Sequence, residues 1–259
     1  MRAKACVGLI WLLGLAVSIR PEEQKRVDER SVLSLPIFPA PTIRDKIPFT
    51  QALGVVGAYV QKGYVLFGVE LRPKDGQEPL VNVNLQPGTN LGDALRQVID
   101  QVPGYQFQVV SAHMINVYPA GTEKDPQNVL NTIVRQFDAD NLYPSDLLSR
   151  PQDFIAELKA RLVPKKSKVP QPGGYIGPGI TGGGPTVTLH LKNVTVRQIL
   201  NAVSEAMEQF PPNLEPVGWL YSFQPDPNSP IGGKHSWMFL WSAPRNWKEQ
   251  AGEDRSASL

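Results

Sequence analysis

The chain has 259 residues, of which 26 are Lys or Arg and 24 are Asp or Glu, so its net charge is only +2. That near-balance argues against a dedicated nucleic-acid binder, and a 19% charged content argues against a highly charged disordered chain. With 22 Gly and 25 Pro, the content of both is high for a helical bundle and points to short elements, many turns and at least one extended linker.

Arg2 and Lys4 precede an apolar run from Ala5 to Val17, and the polar stretch from Arg20 to Arg26 follows it. This order predicts a secretory signal over residues 1–18, with Ala16 and Ser18 suited to a cut after Ser18. A buried N-terminal helix or an uncleaved anchor is the alternative. The single cysteine, Cys6, lies inside this signal. Cleavage would leave an exported chain with 24 basic and 24 acidic residues and no disulfide. That combination suits a bacterial envelope, with a periplasmic or outer-envelope location, better than a small disulfide-stapled secreted module. No later run approaches 18 apolar residues, so membrane association is expected only indirectly.

Residues 19–48 read as an extended leader, charged first and then punctuated by Pro36, Pro39, Pro41 and Pro48. A first α+β unit is expected over 49–122. Phe49, Leu53, Val56 and Val60 recur at helical spacing, with Gly63 as a candidate cap. Residues 64–71 then predict a strand. Val81, Val83 and Leu85 alternate with Asn82 and Asn84, as in a strand with one wet face. Thr89 is a candidate N-cap for a helix carrying Leu91, Leu95, Val98 and Val102 on one stripe. Pro103-Gly104 stops it. Residues 106–110 and 114–118 predict a hairpin around Ser111-Ala112-His113. Residues 123–162 supply a connecting strand, over 128–137, and a helix, over 151–162.

Residues 163–185 differ in kind, because 12 of them are Gly or Pro. They predict an exposed loop or linker. Gly182-Gly183-Gly184 is no phosphate loop, since no Gly-Lys-Ser/Thr follows. A second unit is expected over 186–242. Val187, Leu189 and Leu191 alternate with Thr188, His190 and Lys192. Thr195 can cap a helix with Val196, Ile199, Leu200, Val203 and Met207 along one side, ended by Pro211-Pro212. Trp219, Tyr221 and Phe223 then alternate in one strand, and Ser236 to Trp241 forms its partner. Residues 243–259 read as a flexible tail.

The two units can be overlaid. The first runs Val81 to Leu85, Thr89, then Leu91 to Leu95. The second runs Val187 to Asn193, Thr195, then Val196 to Leu200. The predicted fold class is therefore α+β, with repeated small β-α-β-β units whose helices pack on short mixed sheets. The strand, the run Lys192-Asn-Val-Thr-Val-Arg-Gln-Ile-Leu200, the helix and the hairpin resemble the short N-terminal domain shared by secretins and TonB-dependent transducing receptors. Residues 187–241 match best and 50–118 more loosely. The resemblance implies a small α+β fold and a periplasmic adaptor that contacts an envelope protein partner.

Chemistry is scarce. His113, His190 and His235 are the only histidines, and none has a second ligand at metal-like spacing. No Gly-x-Ser-x-Gly elbow occurs. Asp138, Asp140 and Asp146 read as turn and cap residues, and Asp93 and Glu205 as solvent-facing helix positions. No cofactor is expected. The candidate binding residues are Trp219, Tyr221, Phe223, Trp237, Phe239 and Trp241, which alternate along paired strands either as core or as a platform for a ligand. The preferred reading is a non-catalytic envelope adaptor with a strand edge for its partner. A soluble ligand-binding module built on the aromatic hairpin is the second reading, and an enzyme of unknown class is the third.

Overall fold

The computed structural model describes residues 28–37, 42–58, 60, 65–163, 185–210 and 217–241. The signal, the candidate cap Gly63, nearly all of the Gly/Pro-rich segment, the Pro211-Pro212 stop and the tail lie outside the described residues.

A five-stranded mixed sheet, ordered β4-β5-β2-β8-β9, organises the chain. At its centre β2 (Leu66–Leu71) runs parallel to β5 (Met114–Pro119) on one side and to β8 (Val217–Pro225) on the other. Each neighbour turns back into an antiparallel hairpin, through β4 (Tyr105–Val109) and β9 (Gly233–Trp241). The β2 sequence is nearly all apolar because both of its faces are covered, and every one of its residues is buried.

Alternation along β2 assigns its side chains to two cores. Phe67, Val69 and Leu71 enter the first core. This layer holds α1 (Glu29–Leu33), α2 (Phe49–Ala58), α3 (Leu91–Ile99) and a two-stranded antiparallel ribbon of β1 (Thr42–Pro48) and β3 (Leu80–Leu85). Leu66 enters the second core. That layer holds a 3-10 turn at 129–131, β6 (Ile133–Leu142), α4 (Pro144–Ser149), α5 (Pro151–Phe154), α6 (Ala156–Leu162), β7 (Val187–Thr195) and α7 (Val196–Ala206). Strands β6 and β7 form a second antiparallel ribbon. The fold is thus mixed α+β, with several short helices on sheets of mixed sense.

The structure changes several expectations. Residues 29–33 and 42–48 are a helix and a strand, where an irregular leader was expected. Its prolines do not prevent this, because Pro48 ends β1 and breaks no interior ladder. Helix α3 is capped by Asn90, not Thr89: the Asn90 side chain accepts the Asp93 N–H at 2.8 Å. Thr89 instead donates its hydroxyl to the Gln86 carbonyl at 2.7 Å. The expected strand at 128–137 starts at Ile133, after the 3-10 turn. The expected helix at 151–162 breaks at Ile155, whose extended backbone separates α5 from α6.

The second strand–helix expectation agrees closely. Thr195 caps α7 with a reciprocal box, its side chain taking the Gln198 N–H while the Gln198 side chain takes the Thr195 N–H. Strand β7, however, pairs with β6, while β8 and β9 join the central sheet.

Candidate functional site

Trp219 and Tyr221 are core residues of β8, each only 1% exposed. Phe223, Trp237 and Phe239 are half-buried against the same core. Trp219 faces Phe239 across the ladder, Tyr221 faces Trp237, and Trp241 stands opposite Val217. The Tyr221 and Trp237 rings lie 4.5 Å apart between centroids. The Trp219 Nε1–H donates to Asn201 Oδ1 on α7 at 2.7 Å. These contacts tie the hairpin to α7.

His235 completes the stack. Its Nδ1 lies 2.8 Å from the Tyr221 hydroxyl, and its Nε2 lies 3.5 Å from the Ile231 carbonyl. A neutral ring satisfies both contacts, with Nε2–H donating to the carbonyl and Nδ1 accepting from Tyr221. Burial pushes the His235 pKa down and the Tyr221 pKa up. A lowered folded-state value means the unfolded chain binds the proton more readily. Stability associated with His235 is then fully present above the ordinary imidazole value of about 6.5 and is lost as pH falls through the lowered value. Denaturant melts between pH 7.5 and 5 should show that loss, about flat in His235→Asn over the same window. Parallel pH profiles of the two chains would contradict the assignment.

The residue missed by sequence reasoning is Glu70. Parity along β2 turns Glu70 away from Phe67, Val69 and Leu71, and its side chain is fully buried. Its Oε1 accepts from Arg72 Nη2 at 2.7 Å and from Arg72 Nε at 3.0 Å. Its Oε2 accepts from Arg197 Nη2 at 2.7 Å and from the Thr122 hydroxyl at 3.1 Å. Asn128 Nδ2 reaches both oxygens, at 3.0 and 2.9 Å. Arg197, on the first turn of α7, lies over the Tyr118 ring at 5.0 Å and the Trp219 ring at 5.9 Å. Arg72 lies over Phe223 at 4.5 Å. Gly68, two positions before Glu70, leaves the space beside this cluster: a Cβ there would collide with Asn116 Oδ1 and the Trp219 ring.

Both carboxylate oxygens are therefore saturated by donors, and the cluster joins β2, the 122–128 turn and α7. A carboxylate so occupied is a structural hub; it has no lone pair aimed at a reacting group. The sequence did carry a signal. Glu70 is a lone acid in an apolar strand, and Arg197, Asn201 and Ser204 follow helical spacing on α7, all three of them buried.

The remaining titratable residues are dispersed. Asp138 and Asp140 are strand residues of β6, not turn or cap residues. They flank His190, with Asp138 Oδ1 3.0 Å from Nδ1 and Asp140 Oδ1 3.6 Å from Nε2. The hydrogen bond from His190, and then that from Gln136, hold the Asp138 carboxyl below its usual range. His113 lies 3.2 Å from Glu208. Glu205, expected to face solvent, is half-buried, and its burial raises its pKa. Among the described residues, no three His, Cys, Asp or Glu side chains are grouped to hold a metal ion, and no helix is long and apolar enough to cross a membrane.

What remains is the set of strand edges, where unpaired main-chain groups await partners. The outer edge of β3 is closed by α3. Gln97 both accepts the Asn84 N–H and donates to the Asn84 carbonyl, each at 2.9 Å. Gln101 does the same for Asn82, at 2.9 and 2.8 Å. Two glutamines one turn apart thus replace a missing strand. Strand β1 carries Arg44, Asp45 and Lys46 and a register shift. Strands β6 and β7 carry Arg135, Asp138, Asp140 and Lys192, and Glu157 takes the Arg135 N–H at 3.3 Å. Strand β9 carries Lys234 and packs against α4.

Among the described residues, strand β4 has none of these protections. The hairpin bonds Val110 N to Met114 O and Ala120 N to Gly104 O fix its parity. Gln106 and Gln108 therefore bond β5, while the N–H and C=O groups of Phe107 and Val109 point outward. Residues 101–112 contain no charged side chain. Among the described residues, β4 is the one outer strand that is both uncharged and uncapped. Comparison with known proteins adds no assignment: no family model, curated protein or solved structure matches the chain.

Proposed function

We propose that this protein is a non-catalytic adaptor of the cell envelope, an interaction module that docks a protein partner by adding a strand to β4. The observation that carries the reading is the β4 edge, which among the described residues is bare while the other outer strands are charged, capped or packed over. An unprotected edge is a liability unless a partner occupies it. The saturation of Glu70 supports a structural role for the buried ion cluster.

The signal-like residues 1–18 support an exported, periplasmic or outer-envelope location. The runs β3-α3-β4-β5 and β7-α7-β8-β9 follow the same order, and we read them as repeated β-α-β-β units. Their likeness to the short N-terminal domain of secretins and TonB-dependent receptors is part of the same proposal.

A photo-crosslinking amino acid at Gln108, in cells of the native host, tests it. Illumination should give discrete protein adducts in the envelope fraction. The same probe at the exposed residue Asp153 on α5 should give none. Absence of Gln108 adducts, with the chain present in that fraction, would contradict the reading.

A further inference from the structure

The β4 edge also indicates what occupies it, an inference that rests on the docking role given to that edge. We infer that the partner is a second copy of this chain, paired β4 to β4 in antiparallel sense about a two-fold axis through Gln108. The argument is self-complementarity.

An axis at Gln108 places Phe107 of one copy opposite Val109 of the other, and the reverse. These are the two residues whose main chains face outward. In an antiparallel ladder such pairs exchange both N–H···O bonds. Two pairs then give about four main-chain hydrogen bonds, with no shift of register.

Side chains agree with the same axis. Tyr105, Phe107 and Val109 lie half-buried on the face of the first core. Across the axis, Phe107 would meet Val109, an aromatic against a β-branched side chain, a favourable cross-strand pair. The apolar strip would continue from one copy into the next. On the other face, exposed Gln108 would meet its own equivalent, and an amide offers both a donor and an acceptor.

Charge gives the third argument. A two-fold axis through Gln108 places that side chain against its own copy, so a charge at 108 would face a like charge, and charges elsewhere on so short a strand would be gathered near the axis on both copies. Residues 101–112 carry none. A partner chosen by charge would need a charged strip here, and there is none. The other edge strand, β9, carries Lys234 and would remain at the two far ends of a continuous sheet of ten strands, two sets of five.

A ladder of this length on its own makes a weak, reversible dimer. Sedimentation equilibrium of the full chain should give a monomer–dimer equilibrium between low micromolar and near-millimolar concentration. Val109→Pro removes an outward N–H at a position where an edge strand tolerates proline. It should weaken the dimer by about ten-fold or more. Gln108→Lys places two ammonium groups face to face and should weaken it several-fold, with the loss reduced by salt. Met238→Lys, on exposed β9, should leave association unchanged, and denaturant melts of all three variants check that each stays folded. A chain that stays monomeric throughout, one that grows beyond dimers, or a dimer indifferent to both β4 variants overturns the inference. If a monomeric chain still gives Gln108 adducts with another protein, the second copy is excluded while the docking role of β4 stands. Neither dimer nor adduct overturns both.

Discussion

Replacing Glu70 with Ala is expected to destabilise the fold by about 3–5 kcal/mol, because it leaves a buried guanidinium without its counter-charge. Arg197 is 8% exposed and makes its ion pair through Nη2 alone, with Tyr118 and Trp219 against its faces. Most of its guanidinium can meet water only if the first turn of α7, which the Thr195 cap holds in place, moves. The same substitution removes one acceptor from Asn128 and Thr122, leaving them the Thr122 and Pro119 carbonyls and loosening the 122–128 turn. Denaturant melts of Glu70→Ala, of Arg197→Met and of the pair Glu70→Leu with Arg197→Met would separate the contributions. The pair should recover much of the loss of Glu70→Ala, since matched apolar replacement removes both desolvated charges at once. A Glu70→Ala chain as stable as the parent would mean that the hub is not closed as described.

The second large effect concerns the layer below. Leu200 is fully buried, in one core with Val187, Leu189, Val196 and Val203. Leu200→Ala should cost about 2–5 kcal/mol through lost transfer energy and the cavity left behind. His190→Ala should cost far less. Its side chain is 48% exposed and its partners Asp138 and Asp140 are at the surface too. Equal losses in denaturant melts would place the register of β7 one residue out, because a single-residue slip exchanges its faces.

That register was legible in the sequence because both periodicities are local. Val187 and Leu189 alternate with Thr188 and His190, and the Thr195–Gln198 box marks the start of α7. The two hairpins of the central sheet were legible for the same reason, with apolar alternation on both sides of a turn. Pairings between distant segments were not. Strand β2 meets β8 about 150 residues later, placing Gly68 beside Trp219, and nothing local in either strand specifies that parallel register. The ribbon partner of β3 was hidden in a proline-punctuated stretch, since a strand that ends at its proline leaves the same local signal as an irregular leader.

The ion cluster was hidden for a related reason. Glu70 and Arg197 are 127 residues apart, and each alone has the ordinary reading of a strand-end acid or a helix-surface base. Buried neighbours on both sides distinguish them, and burial is a property of the assembled layers. The β4 edge shows the opposite balance. Its lack of charge was plain in the sequence, but its position at the end of the sheet required the strand order.

The direct measurement of that edge is residue-resolved amide hydrogen exchange. In dilute protein, the Phe107 and Val109 amides should exchange orders of magnitude faster than those of Gln106 and Gln108, which bond β5. Their protection should rise as the chain is concentrated. Strong protection of Phe107 and Val109 in the dilute chain, equal to that of their neighbours, would show the edge already closed and would contradict the account.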